Sequence, residues 1–173
     1  FIVASDFTVE SFLHRLLRTL DERVVQGLAD EIAASGRDLH EIMTMASLIE
    51  EEASKNQERP VISGILWKRL ESGQRLDVDA TVRYLLNKPT AALTVGDLNT
   101  NSPYNSRKLG GLPPGPIANP GLASIQAALQ PSESDYWYYL HDPKGNIHYA
   151  ETNAEHNMNK FAHLRYLLVG SSW

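Results

Sequence analysis

Apolar residues recur at helical spacing through most of the first half of the chain. Leu13, Leu16, Leu17, Leu20 and Val24 form one stripe, and Thr8 stands where a helix cap belongs. This helix is expected to run to about Ala34, with Gly27 as a break and Ser35-Gly36 as its end. A second stripe follows from Asp38 to Ser54: Ile42, Met45, Ala46, Ile49 and Ala53, opened by an Asp38…Glu41 capping-box pattern. Pro60 suits the first turn of a third helix, with Ile62, Ile65, Leu66, Arg69 and Leu70 inward and Gly73 as its stop. Arg69 on that stripe either reaches a carboxylate or snorkels outward, and snorkelling is the simpler expectation. A link this short between two helices predicts a hairpin.

Short helices are expected over Arg83–Leu86 and Leu122–Leu129, with a brief turn opened by Thr94 and Asp97. Period-two patterning appears only near the end. Tyr136–Leu140 and Ile147–Ala150 flank the turn Asp142-Pro143-Lys144-Gly145-Asn146, which predicts a β-hairpin. Its aromatics either pack a core or stack on sugar rings. A last helix covers Thr152–Leu168, and residues 169–173 read as a tail; Phe1–Asp6 reads as a short extended lead-in. The pattern gives an α+β fold, mostly α-helical, with one small β-hairpin.

Composition narrows the chemistry. At 173 residues the chain suits one domain, or one domain with a small subdomain. A hydrophobic content of 42% can build a core, so disorder is not expected. The net charge of −5 argues against a general nucleic-acid binder. With no cysteine, disulfides and thiolate chemistry are excluded. No apolar run is long enough to span a bilayer. The chain opens at Phe1 without an initiator Met and is expected to be a processed chain or a fragment.

Three acids end the second helix. At about 100° per residue Glu51 points to water, while Glu50 and Glu52 flank the apolar stripe on opposite sides. Glu50 continues a ridge of Met43, Ser47 and Ser54, small or apolar neighbours that can desolvate it and raise its pKa. An acidic cluster on a solvated helix end is the plainer alternative. Asp77 and Asp79 are two apart, but the spacing of a calcium loop is not met. His148 and His156 lack a third partner at zinc spacing, and His14 reads as a surface residue. No metal site is expected. Asn99–Gly121 holds five of the nine prolines and four of the eleven glycines, yet Tyr104, Leu109, Leu112 and Ile117 punctuate it. It is either a linker or an ordered loop with a function.

Several segments together resemble one family. Met45-Ala46-Ser47-Leu48-Ile49-Glu50-Glu51-Glu52, Val61–Leu70, Leu76–Tyr84, Ser102-Pro103-Tyr104-Asn105, Gly111-Leu112-Pro113-Pro114-Gly115-Pro116-Ile117, Asn119-Pro120-Gly121 and His156-Asn157 are similar, in order and spacing, to the MltG (YceG-like) membrane-anchored endolytic murein transglycosylases. The likeness runs from about Asp38 to Leu164. It implies a single catalytic domain over residues 1–173, truncated at its N-terminal side, with a lysozyme-like glycan cleft. It implies Glu50 as the catalytic acid, and Tyr104, Asn105 and Asn119 as glycan contacts on the loop. Asp79 and Thr81 match a stretch that in the family reads Asp-Pro-Thr-Val; here Ala80 replaces the proline. The implied reaction cleaves the MurNAc-β-1,4-GlcNAc bond and leaves a 1,6-anhydro end, without metal or organic cofactor. The implied partners are peptidoglycan strands and cell-wall synthesis proteins, not nucleic acid. Membrane attachment would come only through an N-terminal anchor absent here, with the domain facing the extracytoplasmic side of a bacterial envelope. A hydrolytic muramidase using Asp77, Asp79 or Glu52 as second carboxylate, and a non-catalytic glycan-binding or scaffold domain, are the alternatives.

Overall fold

The computed structural model describes residues 8–169, with side chains through Leu164. The expected lead-in at Phe1–Asp6 and the tail beyond Val169 lie outside the described residues. The chain divides into two compact units, residues 1–39 and 40–173.

The first unit is helical. Thr8 caps α1 (Val9–Leu20) by accepting a hydrogen bond from the Ser11 N–H. The helix then widens into a π-helical segment, Asp21–Gln26, and breaks at Gly27. A short α2 (Ala29–Ser35) ends at Gly36, whose φ of +66° is the left-handed C-terminal stop that glycine adopts without strain. Val24 and Leu28 are buried, whereas Leu13 and Leu17 of the predicted stripe remain exposed. His14 is exposed beside Glu10.

The second unit is built around α3 (Leu39–Glu52) and α4 (Arg59–Glu71), joined through a 3-10 turn at Asn56–Glu58. Pro60 lies in the first turn of α4, where its missing N–H costs nothing. Ile42, Met45, Leu48 and Ile49 of α3 and Ile62, Ile65 and Leu66 of α4 are fully buried. Burial of each such side chain is worth about 1.5–3 kcal/mol. The short α5 (Asp79–Leu86), α6 (Val95–Leu98) and α7 (Leu122–Leu129) follow. Trp67 of α4 donates its indole N–H to the Ala128 carbonyl at 2.9 Å, tying α7 down. Gly64 is required by close approach, because a Cβ there would run into the carbonyl of Ser132.

Arg69 does not snorkel. It is 8% exposed and donates to the carbonyls of Leu76 (2.7 Å) and Trp137 (2.8 Å). Two chain segments that lack regular partners end on this guanidinium, which explains why a charge can stay inside.

Strands β1 (Tyr138–His141) and β2 (Ile147–Ala150) pair antiparallel, with Tyr138 opposite Ala150 and Leu140 opposite His148. One face of this hairpin carries Tyr139 and His141 toward α3 and the 3-10 turn, where they meet Glu52 and Glu58. The other carries Tyr138 and His148 toward α8 (Asn153–Val169), where they stack on His156 and His163. Among the described residues no helix is long and apolar enough to cross a membrane.

The proline- and glycine-rich segment is an ordered loop laid along α3. His40 Nε2 meets the Pro114 carbonyl at 2.9 Å, Ser47 Oγ accepts from the Ile117 N–H at 3.0 Å, and Glu50 accepts from the Gly121 N–H at 3.2 Å. These rungs explain why Ser47, off the apolar stripe, is fully buried. Helix α3 is covered on more sides than its stripe predicts.

Candidate active site

The last turn of α3 sends Glu50 and Glu52 into opposite surroundings. Glu50 faces the N-terminus of α7. Its Oε2 accepts from Ser124 Oγ at 2.6 Å and from the Gly121 N–H at 3.2 Å, and its Oε1 lies 3.6 Å from Arg59. The Ser124 hydrogen bond is the largest influence; with Gly121 and Arg59 it outweighs desolvation and holds the carboxyl below its usual range. The raised pKa that the helical wheel suggested for Glu50 is therefore not found. Its neighbours on the chain are small and apolar, but its neighbours in space are hydrogen-bond donors and a cation.

Glu52 meets the reverse. It lines a polar cavity of about 480 Å³ bounded by α3, the start of α5, the hairpin and the first turns of α8. Burial pushes its pKa up and the charge of nearby Asp79 pushes further; the hydrogen bond from Tyr139, His141 and the Ala80 backbone only partly offset them. Tyr139 donates its hydroxyl to Glu52 Oε2 at 2.9 Å. That phenol is itself buried next to a carboxyl, so its pKa lies well above normal and it stays a donor. Glu51 between the two acids is exposed.

The cavity's other walls carry charge in an ordered way. Asp79 and Arg107 form an ion pair at 2.8 Å on one side, and Asp77, Asn153, His156 and Lys160 complete the lining with Arg69. His141 turns to Glu58 at 3.1 Å. Glu58 is almost fully buried. Burial opposes its charge, but the hydrogen bonds from His141, Lys55 and Ser54 prevail and keep its pKa low. It is a fixed anion that orients His141. His156 stacks on Tyr138, and desolvation, with help from Lys160 and Arg69, lowers its pKa to about 4, so it is neutral at pH 7.

The residues carried over by resemblance are dispersed. Asp79 is in the cavity with Glu52. Thr81 is fully buried and bonds the Val78 carbonyl and Ser106 Oγ. Asn105 is also fully buried, donating to the carbonyls of Leu98 and Thr100 while accepting from the Arg107 N–H. Neither side chain has polar capacity directed outward; both shape the loop that aims Arg107 at Asp79. Tyr104 lines a second cavity of about 590 Å³ with Glu51, Tyr84 and Ile117, its ring 5.3 Å from that of Tyr84. Asn119 is exposed, and neither Asn119 nor Glu50 lines either of these two cavities.

Sequence reasoning passed over Tyr139, Arg107 and Lys160, and gave Glu52 only a secondary part. A signal was available for two of them. The wheel puts Glu52 beside the stripe, and strand alternation puts Tyr139 and His141 on one face.

A mostly helical domain that buries a carboxyl group of raised pKa at the wall of a polar cleft defines a class suited to proton transfer. The model of the YceG-like family matches residues 1–162, and the chain belongs to this family. It is 36% identical over 155 residues to the endolytic murein transglycosylase of Bacillus subtilis (strain 168), an alignment covering 90% of this chain and 43% of that protein. It is 29% identical over 163 residues to the endolytic murein transglycosylase of Streptococcus pneumoniae serotype 2 (strain D39), covering 91% of this chain and 29% of that protein. The crystal structure of a YceG-like protein from Listeria monocytogenes superposes with a TM-score of 0.84 at 37% identity, covering 91% of this chain and 51% of that one. The chain thus spans about half or less of the length of these relatives.

Proposed function

We propose that this chain carries the chemistry of an endolytic peptidoglycan lytic transglycosylase, and that Glu52, not Glu50, is its acid and base. The observation that carries the assignment is the raised pKa of Glu52 in a polar cavity beside Asp79, set against the lowered pKa of Glu50. A general acid must still hold its proton near neutral pH. Burial and a neighbouring like charge move Glu52 toward that condition, and the donors around Glu50 move it away.

In the proposed reaction protonated Glu52 gives its proton to the glycosidic oxygen between MurNAc and GlcNAc. The substrate's N-acetyl group supports the positive charge that develops at C1. Glu52, now a carboxylate, takes the proton from the MurNAc 6-hydroxyl as that oxygen closes on C1. The Tyr139 hydroxyl holds the carboxyl group in place through both steps. Asp79, anchored by Arg107, faces the same space and can stabilise the cationic centre. The wider setting belongs to the same proposal: glycan strands as substrate, action outside the cytoplasm, an anchor in the membrane, and contact with cell-wall synthesis proteins.

One observation favours a second reading. Asp77 and Asp79 share the cavity with Glu52, so a two-carboxylate hydrolase is geometrically possible. Digestion of purified peptidoglycan with mass analysis of the products separates the two. Anhydro ends support the lyase; reducing ends, heavier by one water, overturn it in favour of the muramidase. No cleavage by the wild-type chain, with binding retained, supports a glycan-binding domain instead.

A further inference from the structure

We propose that Asp142, His148 and His163 form a binding site for a divalent first-row transition ion, zinc foremost. Each offers one ligand atom, and these atoms lie within 4.8 Å of one another. His148 Nε2 stands 3.2 Å from Asp142 Oδ2. The rings of His148 and His163 stack with centroids 3.6 Å apart and planes 16° from parallel. All three residues are half-buried: enclosed enough to favour an ion, open enough to admit one.

The fold assembles this set from three places. Asp142 opens the β1–β2 turn, and the turn fixes its carboxylate, which accepts from the N–H groups of Lys144 (2.8 Å) and Asn146 (2.9 Å) and from the Asn146 amide (3.1 Å). These three donors hold the carboxylate in one orientation. The register that sets His148 opposite Leu140 turns it toward α8, and α8 supplies His163. His156, which the sequence offers as a companion to His148, stacks on Tyr138 and lines the cavity of Glu52 instead.

The donor set selects the ion. Two imidazoles and one carboxylate suit zinc and its neighbours, and three protein ligands leave a fourth position for water. Tetrahedral bonds of about 2.0–2.1 Å place ligand atoms about 3.3 Å apart, so the widest separation must close by roughly 1.5 Å and the stacked rings must tilt until their in-plane lone pairs converge, both by side-chain rotation. A neutral imidazole offers one ring nitrogen as a ligand, so His148 and His163 can each supply one. None of the three lines the cavity that holds Glu52. The ion would instead pin the hairpin, which carries Tyr139, to α8, which carries His156 and Lys160, and so brace two walls of that cavity. The site stands independently of the proposed reaction.

The test is calorimetric titration of chelator-stripped chain with Zn²⁺, with Co²⁺ absorption as a second probe of nitrogen coordination. The expected result is one ion per chain, a rise in Tm on saturation, and at least a tenfold loss of affinity in His163→Gln. His163 is the first choice because Asp142 also holds the turn; His148→Gln is the second variant. The metal-free Tm of His163→Gln should match that of the metal-free wild type. Absence of one-to-one binding, or wild-type affinity in both variants, overturns the site.

Discussion

Glu50 and Glu52 stand two residues apart on one helix and have opposite chemistry. Burial and partners both separate them: desolvation is the largest influence on Glu52, whereas on Glu50 hydrogen-bond donors and a cation outweigh it. Glu50 receives a hydroxyl, a backbone N–H and a guanidinium, all of which favour its charge. Glu52 receives a phenol and the Ala80 N–H but faces Asp79, and desolvation wins. The comparison teaches that a carboxylate's role is fixed by what packs against each flank of its helix: α7 and the Pro/Gly loop on one side, the hairpin and α5 on the other. The first flank makes an ion pair that favours the charge, and the second raises the carboxyl pKa, as the proposed proton donor requires.

The sharpest test is Glu52→Gln. The amide keeps the shape but cannot deliver or recover a proton, so turnover of peptidoglycan should fall about 10²–10⁴-fold or more. Stability should move the other way. A pKa raised above 4.5 means that the folded chain holds this proton more tightly than the unfolded chain. Stability from that linkage is full below the unfolded value and declines as pH rises through the folded one. Gln cannot ionise, so at pH 7 the variant should melt at or above the wild-type temperature. Wild-type turnover in Glu52→Gln would break the comparison outright.

Glu50→Gln is the complement. Arg59, little exposed, loses its counter-charge, and the Ser124 bond loses its charge assistance, so stability should fall by about 1–2 kcal/mol in urea unfolding. Turnover per folded molecule should stay within a few-fold of wild type. Loss of turnover as large as in Glu52→Gln would return the acid role to Glu50.

Two variants tune Glu52 in opposite directions. Tyr139→Phe removes a hydrogen bond that lowers its pKa, so the alkaline limb of the pH–rate profile should move up, at a stability cost of about 1 kcal/mol. Asp79→Asn removes a charge that raises it, so the limb should move down. Shifts of the same sign would mean that Glu52 does not set that limb. The smallest effect is expected at Glu51→Gln, which is exposed and should change stability by no more than about 0.5 kcal/mol.

By itself the sequence determined the elements. Stripes at period 3.6 specified α1, α3 and α4, the turn residues Asp142–Asn146 placed the hairpin, and Pro60, Gly36 and Gly73 marked helix ends, because these signals are local and each residue's backbone preference acts within one turn of chain. The wheel also set Glu51 toward water and Glu50 and Glu52 beside the stripe, and it favoured Glu50. Choosing between them, and turning Arg69 inward to the Leu76 and Trp137 carbonyls, required contacts between residues distant in sequence. So did spending Thr81 of α5 and Asn105 of the loop on internal hydrogen bonds and gathering Asp142, His148 and His163 at one corner. Only tertiary structure decides these, because desolvation and hydrogen bonding depend on which atoms lie within a few ångströms in space, and a helical wheel reports only where a side chain points, not what comes to meet it.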